Sequence, residues 1–174
     1  MGAVIDAWIK VVYLGVKIKR GPNFELEGSY DMEKVKLIRL ASPTDASVLD
    51  RLNEEFNGGR MPLEEIEYSL QQSDEIVAIA YLGDEPVGFA CAQSFKSFCY
   101  RELVGEITEM YIQERARRQG LAGMLLVFLE EQLIARGVST VKVLTGHDNH
   151  QAIRAYEKSG YKREDEVLLE KELG

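Results

Sequence analysis

Arg117-Arg118-Gln119-Gly120-Leu121-Ala122-Gly123 joins an apolar strand, expected over Val104 to Ile112, to a long apolar helix, expected over Gly120 to Arg136. Gly120 and Gly123 permit a positive φ or a close backbone approach. The first turn of the helix leaves several N–H groups without intrahelical partners, at the positive end of its dipole. A turn built this way binds anions, phosphates above all. Other glycine-rich turns fit less well. A dinucleotide fingerprint needs Gly-x-Gly-x-x-Gly with an acid ending a second strand, but Glu130 and Glu131 lie on the same helix. A P-loop needs Gly-Lys-Ser/Thr, which does not occur.

Working outward, the elements around the turn read as an ordered α/β domain. Val35 to Leu40 forms a first strand, and Ser42-Pro43-Thr44-Asp45 supplies an N-cap, a proline at the helix start and an acid in the first turn. Val48, Leu49, Leu52 and Phe56 then recur at helical spacing until Asn57-Gly58-Gly59, and a second helix follows from Leu63 to Gln71. Ile76 to Leu82 and Pro86 to Ser94 flank Gly83-Asp84-Glu85 as a hairpin leading into Val104 to Ile112. Beyond the long helix, which Gly137 stops, come a strand over Ser139 to Thr145, a helix over Asn149 to Ser159 and a last strand over Glu166 to Leu173. Period-2 alternation along the 104–112 strand puts Glu106 and Glu109 on opposite faces.

The first 34 residues stand apart from this pattern. Val12, Leu14, Val16 and Ile18 alternate with Tyr13, Gly15, Lys17 and Lys19, as in a strand. Two readings are open: natural translation starts at Met32, behind a purine-rich Glu27-Gly28 codon pair, or residues 1–34 add a strand at an edge or on a neighbouring subunit.

Composition fits one globular domain: 174 residues, 45% hydrophobic and 29% charged. The net charge of −8 argues against nucleic acid. Between Ser42 and Glu75 nine acids face only Arg51 and Arg60, a net −7, so a cationic acceptor would be drawn there. Cys91 and Cys99 have no Cys-x-x-Cys spacing, and with His147 and His150 they make no recognised metal pattern, so no metal is expected. The Ala3 to Val16 stretch, broken by Asp6 and Lys10, is short of the ~20 apolar residues of a membrane span. It also lacks the basic start of a secretory signal. The expectation is a cytoplasmic protein without a membrane or nucleic-acid partner.

Arg117-x-x-Gly120-x-Ala122 resembles the Arg/Gln-x-x-Gly-x-Gly/Ala signature of the GNAT superfamily of N-acetyltransferases. The segment from Asn149 through Ala152, Tyr156, Glu157 and Gly160 to Tyr161 is similar to that family's Asn-x-x-Ala-x-x-x-Tyr-Glu-x-x-Gly-Phe/Tyr block. The resemblance covers roughly Val35 to Leu173. It implies a mixed α/β fold with a central, mostly antiparallel sheet of six to seven strands, flanked by about four helices, over residues 35–174. It implies acetyl-CoA as co-substrate and a primary amine on a small molecule as acceptor, by direct attack; a homodimer is left open.

The resemblance also assigns roles. The pyrophosphate is expected on the main chain of Arg117, Arg118, Gln119, Gly120, Leu121, Ala122 and Gly123, and the pantetheine arm along the backbone of Met110, Tyr111 and Ile112. Tyr156 falls on the family's general acid, with a plain core tyrosine as the other reading. Asn149 matches a pantetheine contact and is equally an N-cap. Glu109 is the first candidate base, Glu106 the second. The burden on a base depends on the acceptor. A lysine-like amine near pKa 10.4 costs about 4.6 kcal/mol to neutralise at pH 7, an α-amine only about 1.4 kcal/mol. Two rival functions remain in view: a non-catalytic acyl-CoA-binding module and a protein N-terminal acetyltransferase.

Overall fold

The computed structural model describes residues 10–12, as backbone, and residues 35–173. In chain order the elements are β1 (Lys10–Val12), β2 (Lys36–Leu40), α1 (Ala46–Asn57), α2 (Leu63–Gln72), β3 (Ile76–Leu82), β4 (Glu85–Phe95), β5 (Leu103–Ile112), α3 (Leu121–Ala135), β6 (Val138–Val143) and α4 (His150–Lys158). Short 3-10 turns at Pro43–Asp45 and Glu114–Ala116 lead towards α1 and α3. The strands lie in sequence order, antiparallel from β1 to β5, while β5 and β6 run parallel. A parallel pair needs a crossover, and α3 supplies it.

Helix boundaries follow their local chemistry. Asp45 Oδ2 accepts from both the Ser42 amide and hydroxyl, each at 2.8 Å, and its carboxylate grips Arg39 at 2.6 and 2.7 Å. Gly58, at φ +76°, ends α1 and donates its N–H to the Glu54 carbonyl at 2.9 Å. Asn149 caps α4 by accepting from the Ala152 N–H at 3.2 Å.

Two cores lie on opposite faces of the sheet. One packs Leu121, Leu125, Leu129 and Leu133 of α3 and Tyr156 of α4 over Ile76, Ala78, Ala90 and Ile107. The other packs Leu49 and Leu52 of α1, with Ile66 and Leu70 of α2, over Ile79, Phe89, Cys91 and Tyr111. Each fully buried leucine contributes roughly 1.5–3 kcal/mol by leaving water. Among the described residues no helix is long and apolar enough to cross a membrane.

Three expectations need correction. Six to seven strands are not matched: the domain sheet has five, β2 to β6, and β1 adds only three residues at its edge. The last expected strand, 166–173, forms none, and Val167, Leu168, Leu169 and Leu173 are exposed. Five charged residues in a row, Lys162 to Glu166, precede an unalternated Val-Leu-Leu, so the stretch offers the sheet no single apolar face. The alternation read for β5 also breaks. Gln93 pairs with Glu106 and Ala92 with Ile107, but Cys91 pairs with Glu109, so Thr108 is an extra residue. This bulge returns Glu109 to the face of Glu106. Of the strand read over Val12 to Lys19, all but Val12 lies outside the described residues, as does the Met32 start.

Candidate functional site

The turn after β5 is built from backbone. Arg118 takes φ +61° and Gly120 φ +85°, which an L side chain adopts at a cost. The first bond of α3 runs from the Met124 N–H to the Gly120 carbonyl at 3.2 Å, leaving the N–H groups of Leu121, Ala122 and Gly123 without helical partners. Lys36 reaches from β2 to the Gln119 carbonyl at 2.6 Å, and Arg117 Nε donates to the Ile112 carbonyl at 2.9 Å. Three cations thus stand near unpaired amides: Lys36, Arg117 and the exposed Arg118.

In front of the turn lies a cavity of about 460 Å³, lined by Gly120, Gly123, Met124, Phe128, Lys158 and Ser159 among others. A Cβ placed on Gly120 or Gly123 would meet nothing within 4 Å. Gly120 is therefore required by its φ, whereas Gly123 keeps space open before the helix. Leu121 turns its side chain into the core and can offer a ligand only its main chain.

The second feature is a split between β5 and β6. Their parallel pairing runs from Leu103↔Val138 to Ile107↔Val143 and stops, so residues 108–112 have no β6 partner. On their other side Met110, Tyr111 and Ile112 pair with Ala90, Phe89 and Gly88. That contact is tight: a Cβ on Gly88 would lie 2.5 Å from the Tyr111 carbonyl oxygen. Tyr111 packs by its ring against Phe56 and Phe89, centroids 5.5 and 6.2 Å away. Met110 and Ile112 lean on the α3 core.

Tyr156 is 8% exposed, with its ring 5.8 Å from that of Tyr161. Burial pushes its phenol pKa up, and the carboxylate of Glu109 adds to the rise. Tyr156, in the α3 core, and the exposed Glu109, on the opposite sheet face with Cys91, thus feel one another's charge. Asn149, exposed, spends its Oδ1 on the helix cap.

The acidic window divides. Asp45 and Asp50 are buried ties: Arg39 lowers the first to a pKa of about 2, and Asp50 binds Arg60 at 2.5 Å and the Met61 amide at 3.1 Å. Glu55 binds Gln113 and Tyr111. Glu64, Glu65 and Glu67 lie exposed on α2. Glu75, counted in the sequence only as one acid of nine, sits next to Gln93 on the Glu109 face. The sequence reading missed Lys36 and Thr108 as well. Lys36 alternates as an ordinary strand residue, and a bulge leaves no mark in the side-chain pattern. Among the described residues no three His, Cys, Asp or Glu gather to hold a metal.

Comparison with known proteins adds to this geometry. Residues 46–161 match the acetyltransferase (GNAT) family. Acetyltransferase SG1711 of Sodalis glossinidius (strain morsitans) is 30% identical over 108 residues, 62% of this chain and 72% of that protein. An aminoglycoside acetyltransferase from an uncultured soil metagenomic sample, solved with sisomicin, superposes with a TM-score of 0.70 at 18% identity, covering 79% of this chain and 95% of its own. AAC(6')-Iy with the bisubstrate analog CoA-S-monomethyl-acetylneamine superposes equally, TM-score 0.70 at 18% identity, over 80% and 99%. At that identity the two solved structures carry the fold alone.

Proposed function

The chain belongs to the acetyltransferase (GNAT) family, and from that premise we propose that it moves the acetyl group of acetyl-CoA to a primary amine of a cationic small molecule by direct attack. The observation that carries the reading is the split between β5 and β6, with the amide-rich turn at one end and Tyr156 and Glu109 beside it. The cavity before Gly123 has room for a bulky phosphorylated group. The amides from Arg118 to Gly123 bind its pyrophosphate, and Arg117, Arg118 and Lys36 add positive charge. The free edge of Met110, Tyr111 and Ile112 takes the pantetheine arm as a strand would be taken, and one N–H there polarises the thioester oxygen. Asn149 borders the same arm.

In the reaction, the amine lone pair attacks the thioester carbon, the C–S bond breaks, and the thiolate of CoA takes the Tyr156 proton. The amine proton passes to Glu109, directly or through water. The Tyr156 phenol, its pKa raised by burial, is protonated at neutral pH and so holds the proton that the thiolate takes. The sheet cysteine supports attack without an acyl-enzyme. Cys91 is buried with its thiol pKa pushed up, far from the thiolate a covalent route needs. The aminoglycoside acetyltransferases among the structural neighbours point to small amines as acceptors, though only by fold.

Thiol release from acetyl-CoA, measured against polyamines, aminoglycosides, amino acids and peptide N-termini at pH 7 and 8.5, tests this. Release with a small cationic amine is expected. Release only with peptides would shift the acceptor to protein N-termini. Absence of release with acetyl-CoA bound would leave a binding module, and absence of binding would end the reading.

A further inference from the structure

Glu106 and Glu109 share one sheet face because of the bulge at Thr108, and Glu75 joins them from the start of β3. Glu106 is matched by Lys142, whose Nζ lies 3.8 Å away. Glu75 and Glu109 make no ion pair among the described residues. Among the described residues Gln93 Nε2, 3.4 Å from Glu75 Oε1, is the one side chain hydrogen-bonded to either carboxylate. Between them the floor is Cys91, 8% exposed, whose thiol is pushed up by burial and by both carboxylates. Burial raises the Glu75 pKa, and the charge of Glu109 raises it further against the hydrogen bond of Gln93.

An independent polar feature lies next to Glu109. Thr108 Oγ1 is buried and has no hydrogen-bond partner. A bulge sets two residues against one, so Thr108 and Glu109 together oppose Cys91. A buried hydroxyl without a partner is uncommon, and here it directly precedes Glu109, a carboxylate that no cation meets among the described residues.

We propose that Glu75, with Gln93, is a specificity-determining residue that holds a second cationic group of the acceptor while the reacting amine sits at Glu109, so that the enzyme selects diamine-like cations over monoamines. This rests on the acetyl-transfer reading above. Glu75 and Glu109 stand two strand intervals apart and two residues out of step, roughly 12 Å between backbones, a span that two glutamate side chains can shorten to the length of a short diamine. The division of labour is chemical. The amine at Glu109 must lose a proton to attack, whereas the group at Glu75 keeps its charge and binds by it.

The test compares butane-1,4-diamine with butylamine as acceptors for wild type, Glu75→Gln and Glu75→Lys. Wild type should favour the diamine by about 10-fold or more in kcat/KM. Glu75→Gln should erase that preference through KM of the diamine and leave butylamine unchanged. Glu75→Lys should turn the preference towards 4-aminobutanoate, a gain that misfolding cannot produce. Equal use of the two amines by wild type, or equal slowing of both by Glu75→Gln, would overturn the proposal while acetyl transfer stands. If no amine of the wider panel releases thiol, the acetyl-transfer reading fails first and takes this proposal with it.

Discussion

The carboxylate of Glu55 on α1 accepts two hydrogen bonds from Nε2 of Gln113, at 2.8 and 3.0 Å, across 58 residues of chain. Gln113 is 8% exposed and directly follows β5, so the pair fastens the first helix to the strand that borders the split. Glu55→Ala leaves a buried amide without its acceptor and should cost about 1–3 kcal/mol in urea unfolding. Glu55→Gln keeps one acceptor oxygen and should cost clearly less. Equal stability of Glu55→Ala and wild type would show the tie to be ornamental.

Tyr156→Phe removes one oxygen from a well-packed ring. Turnover should fall about 100-fold, while acetyl-CoA affinity by calorimetry stays within about twofold. A variant as fast as wild type would remove Tyr156 from the chemistry and leave it a core tyrosine.

Glu109→Gln should act through pH. With a lysine-like acceptor the variant's deficit, about 10- to 100-fold at pH 7, should shrink as pH approaches the amine pKa near 10.4. A deficit that stays constant across pH 7–10 would mean that Glu109 binds the acceptor without taking its proton.

Gly120→Ala and Gly123→Ala should part company. At φ +85° an alanine at position 120 is strained by about 1 kcal/mol, and Tm should fall. Position 123 is helical, so alanine there should hold or raise Tm, yet its Cβ enters the cavity and should weaken acetyl-CoA binding. Loss of binding at 120 alone would relocate the phosphate site.

Asp45→Asn probes the tie to Arg39. The folded Asp45 carboxyl has its pKa lowered from 3.8 to about 2, chiefly by Arg39. Because the folded value is depressed, its stabilisation is complete above the unfolded pKa and disappears as pH falls through about 2. The variant should be about 2 kcal/mol less stable at pH 7, with the gap to wild type closing between about pH 4 and pH 2. A gap independent of pH would assign the loss to packing.

Much of this was legible because local chemistry decided it. Proline 43 with Asp45, Gly58, Gly120, Gly137 and Asn149 each act within a few residues, and each ends or begins a helix where the sequence places it. What escaped depends on distant partners. Alternation assumes a regular ladder and so puts Glu106 and Glu109 on opposite faces, whereas the bulge at Thr108 is an irregularity of pairing. The acidic window read as one surface, but Arg39, Arg60 and Gln113 turn three of its acids into struts. Glu75 gains its character only when the sheet sets it beside Gln93.

The split between β5 and β6 has a bearing on solubility. An unpaired strand edge ordinarily recruits other chains. Here the exposed stretch is only the five residues 108–112, and it lies in the fork of two strands already joined behind it at Ile107 and Val143. A neighbouring polypeptide, with side chains alternating above and below its backbone, would have to thread into a closed-ended notch to pair there. A thin unbranched chain could slide in. The same fork that bares the edge therefore filters by girth, and its shape adds to the single charge of Glu109 in discouraging edge-to-edge pairing at that margin.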